Sequence, residues 1–328
     1  ILDDLSALQQ SGGDFGDGVV HLYQPKATIK YNSFKAPWLP AEIPGIGANP
    51  LDGVILDYYL SEDADSANAA VLEIIDANDN VIRSYTSRKD PDFKPYPGGP
   101  PAKEVLPAKA GLNRFAWDFR TETLIDIPGA FVYGDYRGHR VAPGVYKARI
   151  TFKGKQDAVT IDLVQDPRLE ASPDQWQNQQ ETLTQVEGLI NEIHQSVLDF
   201  RKIQKQIDVL NEIFGAEAAN KDLLEAGEKL KKTITQWEGE LVQTKQKNFQ
   251  DVINFPSKLN AELFALKDKL DVHDPQVTQG TKLRLGDLKT IWQEQKAAMK
   301  KIIEEDIANY NKTFRDKNVP LLVLPSKA

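Results

Sequence analysis

Ser172-Pro173-Asp174 separates two parts of the chain that have different sequence patterns. Before it the chain is rich in proline, glycine and aromatic residues, with short runs of β-branched residues. After it, leucine, isoleucine, lysine, glutamate and glutamine recur at helical spacing. The three residues are typical of a helix start, because serine is a favoured N-cap, proline suits the first helical position and an acid stabilises the positive end of the helix dipole. We therefore expect strands before residue 172 and helices after it.

One long helix is expected from Pro173 to Phe214, and Gly215 would end it. Its apolar residues recur in steps of three and four, which indicates a seam that packs against other helices at small crossing angles. The seam residues are Leu183, Val186, Ile190, Ile193, Val197, Phe200, Ile203, Ile207, Leu210 and Phe214. At about 1.5 Å per residue this helix would be roughly 60 Å long.

Three further helices are expected. The first contains Leu230 and Trp237, a short one is capped by Ser257, and a long one contains Leu288 and Trp292. Because the connections between them are short, neighbouring helices should run antiparallel. Residues 171–316 are therefore predicted to form an antiparallel helical bundle, and residues 317–328 an extended C-terminal tail.

The first half predicts short strands with no helix between them. From Leu112 to Phe119 the residues alternate in character, so Phe115 and Trp117 should face a core. Runs of β-branched residues separated by turn residues indicate hairpins at 71–85 and 145–164. This pattern is typical of an antiparallel β-sandwich of the fibronectin or immunoglobulin type, which we place at residues 15–170.

Composition excludes several functional classes. Among 328 residues, 40 Lys and Arg against 48 Asp and Glu give a net charge of −8, which disfavours nucleic acid or an anionic membrane as a partner. No apolar run of about 18 residues occurs, so no membrane span is expected. The absence of cysteine excludes thiolate catalysis, disulfides and cysteine-based metal sites. It does not decide between a cytoplasmic and a secreted or periplasmic protein.

Three aromatic residues in loops rich in proline and glycine are candidates for a carbohydrate platform: Trp38, Tyr133 and Tyr136. An exposed ring in such a loop can stack on a pyranose face. The alternative, which we prefer, is that these rings close the edge of the sandwich. His139 is a further candidate ligand-binding residue. The four histidines are too widely spaced for a zinc site, so neither a metal site nor a cofactor is predicted.

A carboxylate pair for glycoside hydrolysis would have to stand on the rigid walls of a cleft with one pKa raised, and Asp118 and Glu122 are the candidates for it. The alternative is an ion pair between a carboxylate and Arg114 or Arg120. We expect the ion pair, because a β-sandwich has no deep cleft by default. No catalytic residue is therefore predicted.

Five short motifs occur in this chain: GLNRFAWDFR at 111–120, RVAPGVY at 140–146, DPR at 166–168, LVQTK at 241–245 and NFPSKLN at 254–260. In combination they resemble the C-terminal region of bacterial sortilin-like β-propeller proteins, often labelled glycosyl hydrolases with BNR (Asp-box) repeats. The opening ILDDLS at 1–6 resembles the closing strand of the last propeller blade. By this resemblance, residues 1–14 are expected to be the last strand and linker of a propeller that lies outside this chain.

The resemblance implies a module without chemistry of its own. In that family the repeats that carry the glycosidase label lie in the propeller, and their Ser/Thr-x-Asp-x-Gly-x-Thr-Trp pattern is absent from this sequence. No functional residue can therefore be carried over. We expect a non-catalytic structural or interaction module that braces the propeller or docks a protein partner, in a secreted, periplasmic or cell-surface protein. The alternative is a carbohydrate-binding accessory module, or part of a glycoside hydrolase-like enzyme.

Overall fold

The computed structural model describes residues 4–13, 18–31, 51–214 and 221–316. After a short helix α1 (Ser6–Ser11), the described chain forms strands up to residue 165 and helices from residue 173, as the sequence predicts. We call these parts the strand unit and the helical unit. The strands are β1 (Val20–Leu22), β2 (Thr28–Lys30), β3 (Val54–Leu60), β4 (Val71–Ile75), β5 (Val81–Thr86), β6 (Gly111–Trp117), β7 (Gly144–Phe152) and β8 (Lys155–Gln165).

The described strands form two sheets. Sheet A has the order β1-β3-β6 and is antiparallel. Sheet B has the order β2-β8-β7-β4-β5 and is antiparallel except for the parallel pair β2–β8. The pairs β4–β5 and β7–β8 are the two predicted hairpins. β5 lies at one edge of sheet B.

The two sheets share one buried core. Along β6, Phe115 and Trp117 are buried while Leu112 is 40% exposed, which confirms the predicted alternation. Sheet B contributes Ile74 and Phe152 to the same cluster. The strand unit is therefore held together by apolar side chains that come from both sheets.

The long predicted helix is present with the predicted bounds and has 42 residues. The Ser172 hydroxyl accepts a hydrogen bond from the Gln175 N–H, which is the expected capping contact. The α-helices of the helical unit are α2 (Pro173–Phe214), α3 (Lys221–Leu241), α4 (Leu259–Leu270), α5 (Gln279–Lys301) and α6 (Ala308–Asp316).

Neighbouring helices α2 and α3 run antiparallel, as the short connections predict. Arg201 of α2 pairs with Glu238 near the end of α3, whereas Asn211, farther along α2, bonds Glu228 nearer the start of α3. The helical unit has its own buried core, to which every helix from α2 to α6 contributes. Its members include Val186, Ile234, Leu263, Trp292 and Phe314.

Two irregular turns in the helical unit were not predicted. A 3₁₀ turn, Phe249–Ile253, lies between α3 and α4. A π turn, Ile302–Ile307, joins α5 to α6 and buries both of its end residues in the helical core. The prediction that Ser257 caps α4 is wrong, because Lys258 occupies the N-cap position and no side chain bonds there.

Some predictions concern residues that the structure does not describe. The strand at Ile1-Leu2 and the tail at 317–328 both lie outside the described ranges. The residues that follow Ile1-Leu2 and are described form α1. Within the described ranges, no helix has both the length and the apolar character needed to cross a bilayer.

Residues 121–140, between β6 and β7, reach from the strand unit to the helical unit and back. We call them the crossing segment. Its two arms are paired, since the Thr121 N–H donates to the His139 carbonyl and the Leu124 N–H donates to the Tyr136 carbonyl. The sequence places this segment within the range predicted for the sandwich, but its apolar side chains pack in the helical core. These side chains are Leu124, Ile127, Ala130, Val132 and Tyr136.

His194 of α2 attaches the crossing segment to the helices. Its Nδ1 lies 2.6 Å from the Ile125 carbonyl oxygen, and its Nε2 lies 3.3 Å from the side-chain nitrogen of Asn260. The imidazole is fully buried, and this burial lowers the pKa of His194 to about 4. The ring is therefore neutral, with Nδ1–H donating to Ile125 and Nε2 accepting from Asn260.

Acidic pH should lower the free energy of unfolding, because His194 is buried in its neutral form. The unfolded histidine, with an ordinary pKa of 6.5, takes up a proton before the folded one does, so stability is lost as pH falls from 6.5 towards 4. This difference in proton binding lowers the free energy of unfolding by about 3 kcal/mol between pH 7 and pH 4. His194→Gln lacks this titration, so the stability advantage of the native chain over the variant should shrink by about 3 kcal/mol between pH 7 and pH 4. Urea unfolding at both pH values measures it, and an unchanged difference would contradict a neutral buried His194.

Candidate functional site

A cleft of about 780 Å³ lies beside the edge strand β5, and we call it the β5 cleft. One wall consists of the consecutive β5 residues Arg83, Ser84, Tyr85 and Thr86, and the opposite wall is formed by residues 102–105. The volume falls within the range of about 300–1,000 Å³ that is usual for ligand sites. The cleft therefore has the size and the position of a binding site along a sheet edge.

Alternate residues of β5 direct their backbone groups towards the cleft. The Ser87 N–H donates to the carbonyl of Ala70, the residue that precedes β4, so the backbone groups of Ser87 point towards β4. Hydrogen-bonded and non-hydrogen-bonded residue pairs alternate along an antiparallel ladder, so the backbone N–H and C=O groups of Ser84 and Thr86 point away from β4. Thr86 is already paired with Val105 in a parallel β-bridge, and its carbonyl accepts the Leu106 N–H at 3.0 Å. The Ser84 N–H makes a 3.4 Å bond with Glu122. Thr86 is thus engaged by the chain itself, whereas the described residues hold the Ser84 N–H through one long bond.

The charged side chains around the β5 cleft include more unpaired cations than anions. Lys89 and Lys103 line it and form no ion pair with any residue that the structure describes. Arg88 also lines it and donates to a backbone carbonyl. By contrast, the Glu122 carboxylate is 3.2 Å from the Arg83 guanidinium and is neutralised by it. The cleft therefore presents positive charge to a ligand.

Two other acids line the β5 cleft, and neither cancels this charge fully. Asp90 accepts the backbone N–H of Asp92 in a surface turn. Partial removal of water raises the pKa of Glu104, and the negative charge of Asp118 raises it further. A raised pKa reduces the negative charge that Glu104 carries as the solution becomes mildly acidic. The cleft is therefore most positive under acidic conditions.

Tyr133 is the candidate residue that the structure leaves exposed. Its side chain is 66% exposed, and its ring centroid lies 6.4 Å from that of Phe249 with the planes inclined by 34°. Phe249, Val252 and Ile253 belong to the 3₁₀ turn and are also exposed. We call these four residues the aromatic corner. The sequence indicated Tyr133 but missed its neighbours, because a single 3₁₀ turn leaves no periodic signal.

The other candidate residues do not join Tyr133. Tyr136 is 1% exposed and packs on Phe264, with ring centroids 4.8 Å apart. His139 is buried, and its Nδ1 lies 2.8 Å from the Glu187 carboxylate. Neither ring has a free face for a sugar, because the helical core covers both. Trp38 lies outside the described residues.

His139 belongs to a buried polar cluster that fixes the crossing segment. Glu187 accepts the His139 backbone N–H at 2.8 Å and lies 3.9 Å from the Lys267 ammonium group. Lys267 has no exposed surface and donates to the Asp135 carbonyl at 3.1 Å. Each charge in this cluster therefore has a partner, and the arrangement is suited to holding the two units together.

Asp118 and Glu122 contact arginines. Asp118 lies 3.6 Å from Arg120, which is one of the ion pairs expected from the sequence. Glu122 pairs instead with Arg83, which was not predicted, since the two are brought together only by the fold. In the described part of the chain, no three or more His, Cys, Asp or Glu side chains are grouped so as to hold a metal ion.

The ion pair between Arg120 and Asp271 connects the strand unit to the end of α4. The two side chains are 2.8 Å apart and are 6% and 8% exposed. Arg120 also donates to the Gly138 carbonyl, and Asp271 also accepts the Arg140 N–H. Burial alone would raise the pKa of Asp271, but the charge of Arg120 and this backbone bond lower it below its ordinary value.

Comparison with models of known protein families gives no match to this chain, and comparison with curated protein sequences gives none either. The resemblance to sortilin-like propeller proteins thus remains a prediction from the quoted motifs.

Removing Arg120 should be costly, because it leaves Asp271 charged and buried without its main partner. We expect Arg120→Met to lower the free energy of unfolding by about 3–5 kcal/mol. The matched control is Arg284→Met, whose ion pair with Glu262 is 45% and 41% exposed and should be worth less than about 1 kcal/mol. Chemical unfolding of both variants measures the difference, and equal losses would show that Arg120–Asp271 has no special role.

Proposed function

We propose that this chain is a non-catalytic interaction module that docks an extended, acidic segment of a protein partner in the β5 cleft. On this proposal the two sheets form an immunoglobulin-like sandwich and the helices form an antiparallel bundle that supports it. The observation that carries the proposal is the outward-facing Ser84 of β5, which lies along a cleft whose Lys89 and Lys103 form no ion pair with the described residues.

The edge of β5 supports the choice of an extended partner. Ser84 directs its backbone groups towards the cleft, and an added strand can bond to such groups. The bond between the Ser84 N–H and Glu122 is long, at 3.4 Å. Since a carbonyl of an incoming strand would bond the same N–H at about 2.9 Å, it can replace Glu122 there.

The charge of the cleft supports the choice of an acidic partner. Lys89 and Lys103 have no carboxylate partner among the described residues, and Arg83 would gain a vacant bonding position if Glu122 were displaced. In a bound strand, every second side chain points the same way. Acids at alternate positions of the partner would therefore meet these cations together.

The junction between the units supports a structural role beside the docking role. Buried pairs such as Arg120–Asp271 and His139–Glu187 connect the strand unit to the helical unit. A rigid pair of units holds the β5 edge in one position, which lowers the entropy cost of binding. From the resemblance alone, we also propose that the partner includes the β-propeller of the parent chain and that the protein is secreted, periplasmic or exposed on the cell surface.

The docking proposal can be tested with a display library of random linear peptides and the full chain as bait. We expect the selected peptides to carry Asp or Glu at every second position. Ser84→Pro should weaken the binding of a selected peptide about threefold to tenfold, because proline removes one outward donor and leaves the bonds to β4 in place. Lys103→Glu should weaken it at least as much through charge repulsion. Fluorescence anisotropy of the labelled peptide measures both effects.

The matched control is Lys232→Glu, which makes the same charge change at an exposed lysine of α3, in the helical unit and outside the cleft. It should leave the affinity within about twofold, as expected for a surface charge removed from the site. Circular dichroism of Ser84→Pro checks that the fold is kept. Selection of peptides without acids, or affinities that Ser84→Pro and Lys103→Glu do not change, would overturn the proposal.

A second candidate function is carbohydrate binding, and the aromatic corner favours it. Tyr133 and Phe249 are 66% and 60% exposed, and their rings are near each other. Two exposed rings with a small angle between them can stack on successive or opposite sugar faces. This is the role for which Tyr133 was a candidate, although it was not the preferred interpretation of its sequence.

Affinity electrophoresis in gels that contain β-glucan, xylan or galactomannan tests this second function. If the aromatic corner binds sugar, the native chain is retarded by one of these polysaccharides and Tyr133→Ala is not. Leu283→Ala is the control, since Leu283 is 62% exposed on α5 and lies outside the aromatic corner. Unretarded migration of the native chain, or equal retardation of Tyr133→Ala, would remove this function from consideration.

A further inference from the structure

A second cavity, of about 250 Å³, lies where β6 meets the crossing segment. It is lined by Tyr31, Asp52, Asp118, Phe119, Arg120, Arg137 and Arg140, and we call it the arginine cavity. It is separate from the β5 cleft, with which it shares no lining residue. Three guanidinium groups and two carboxylates share this small concave surface, so the charge that each arginine offers to a ligand depends on its own partners.

Two of the three arginines are paired within the protein. Arg120 is bonded to Asp271 at 2.8 Å. Arg137 holds Asp135 through several bonds, the shortest of 2.7 Å. The positive charge of these two side chains is therefore largely balanced before any ligand binds.

Arg140 is different, because its guanidinium group forms no hydrogen bond or ion pair with the described part of the chain. Its backbone is held, since its N–H donates to Asp271 and its carbonyl accepts from Gln180. Burial, followed by the charge of Arg120, lowers the pKa of Arg140 below its ordinary value. A fixed backbone and a guanidinium group without a partner among the described residues together leave Arg140 available to a ligand.

Lys30, at the end of β2, adds a further cation next to these arginines. It is 4% exposed, and its ammonium group lies 4.2 Å from the ring centroid of Trp176, with no ion-pair partner in the described ranges. Burial lowers the pKa of Lys30 to about 7; the charge of Asp271 opposes this, and the charges of Arg140 and Arg120 add to it. Within the described ranges, Lys30 and Arg140 are therefore two basic groups at this junction without a paired carboxylate, and Lys30 carries only part of its charge at neutral pH.

The two acids on the cavity wall are already engaged. Asp118 accepts the Arg120 N–H at 3.3 Å and lies 3.6 Å from the Arg120 guanidinium group. Asp52 accepts the Tyr31 hydroxyl at 3.1 Å. Neither lies within ion-pair distance of Arg140, so no carboxylate of the described residues pairs with its guanidinium group.

We propose that the arginine cavity binds a small divalent oxyanion, a phosphate or sulfate group, with the Arg140 guanidinium as its principal ligand. The planar guanidinium fork matches two oxygens of such a group, and a paired bond of this kind is stronger than a neutral one. A dianion would also relieve the repulsion between Arg140 and Arg120. The volume of the cavity exceeds that of one oxyanion, so the group can belong to a larger molecule.

Isothermal titration calorimetry of the full chain with inorganic phosphate and with inorganic sulfate tests the proposal. Chloride at matched ionic strength and acetate are the comparison ligands. We expect saturable binding of phosphate or sulfate that is tighter than that of acetate and absent with chloride. In Arg140→Gln the binding should be weaker by about tenfold or more, the usual effect of losing a bond to a charged group.

Arg140→Gln keeps both backbone bonds and breaks no side-chain bond, so it should fold like the native chain. Arg284→Gln, which removes a guanidinium group from an exposed helix surface, is the matched control and should bind as the native chain does. Equal binding by the native chain and Arg140→Gln would overturn the proposal, as would equal heats with chloride. Tighter binding of acetate than of phosphate and sulfate would overturn the assignment to a divalent oxyanion.

Discussion

The buried ion pair between Arg120 and Asp271 sets the position of the strand unit relative to the helical unit. Both groups have lost most of their water, and neither could keep its charge there without the other. Displacing one unit by a few ångströms would leave two uncompensated charges in a region of low dielectric constant. The pair therefore favours one arrangement of the two units strongly, even where its net contribution to stability is small.

The crossing segment explains why this pair can form at all. Its arms extend the strand unit outward, and its apolar side chains enter the helical core, so the two cores are linked by continuous chain. Gly138 makes the turn back possible at close range, since a Cβ there would lie 2.2 Å from the Thr121 hydroxyl oxygen. The β5 cleft and the arginine cavity both lie next to this segment, with Glu122 and Arg137 on their walls.

Sequence patterns predicted the regular elements well, because those patterns are local. The alternation that buries Phe115 and Trp117 and the steps of three and four in Pro173–Phe214 each record one buried face of one element. The burial of the Tyr136 and His139 side chains could not be predicted from such local patterns. Both lie in a loop, and only the fold shows that this loop packs against helices that begin more than thirty residues later.

For the same reason, most residues of the candidate sites could not be predicted from the sequence. Ser84 and Lys103 face one cleft, and Arg120 and Arg140 face one cavity, but no spacing rule relates these positions. Tyr133 was indicated by its loop composition, and the structure does leave it exposed. Its neighbour Phe249 comes from a part of the chain more than a hundred residues away, where no motif drew notice.

The π turn at Ile302–Ile307 has a consequence for how this chain can change in length. An ordinary α-helix brings a residue back to the same side after about 3.6 positions. In the π turn, the wider backbone turn between the buried residues Ile302 and Ile307 takes up one extra residue. Tyr310 and Phe314 are thereby kept on the side that faces the core. Loss of one residue from this turn would leave a continuous helix with the same side chains inside. Elsewhere in α5 the same deletion would rotate every later side chain away from its neighbours, so this turn is where related chains can differ by one residue without repacking.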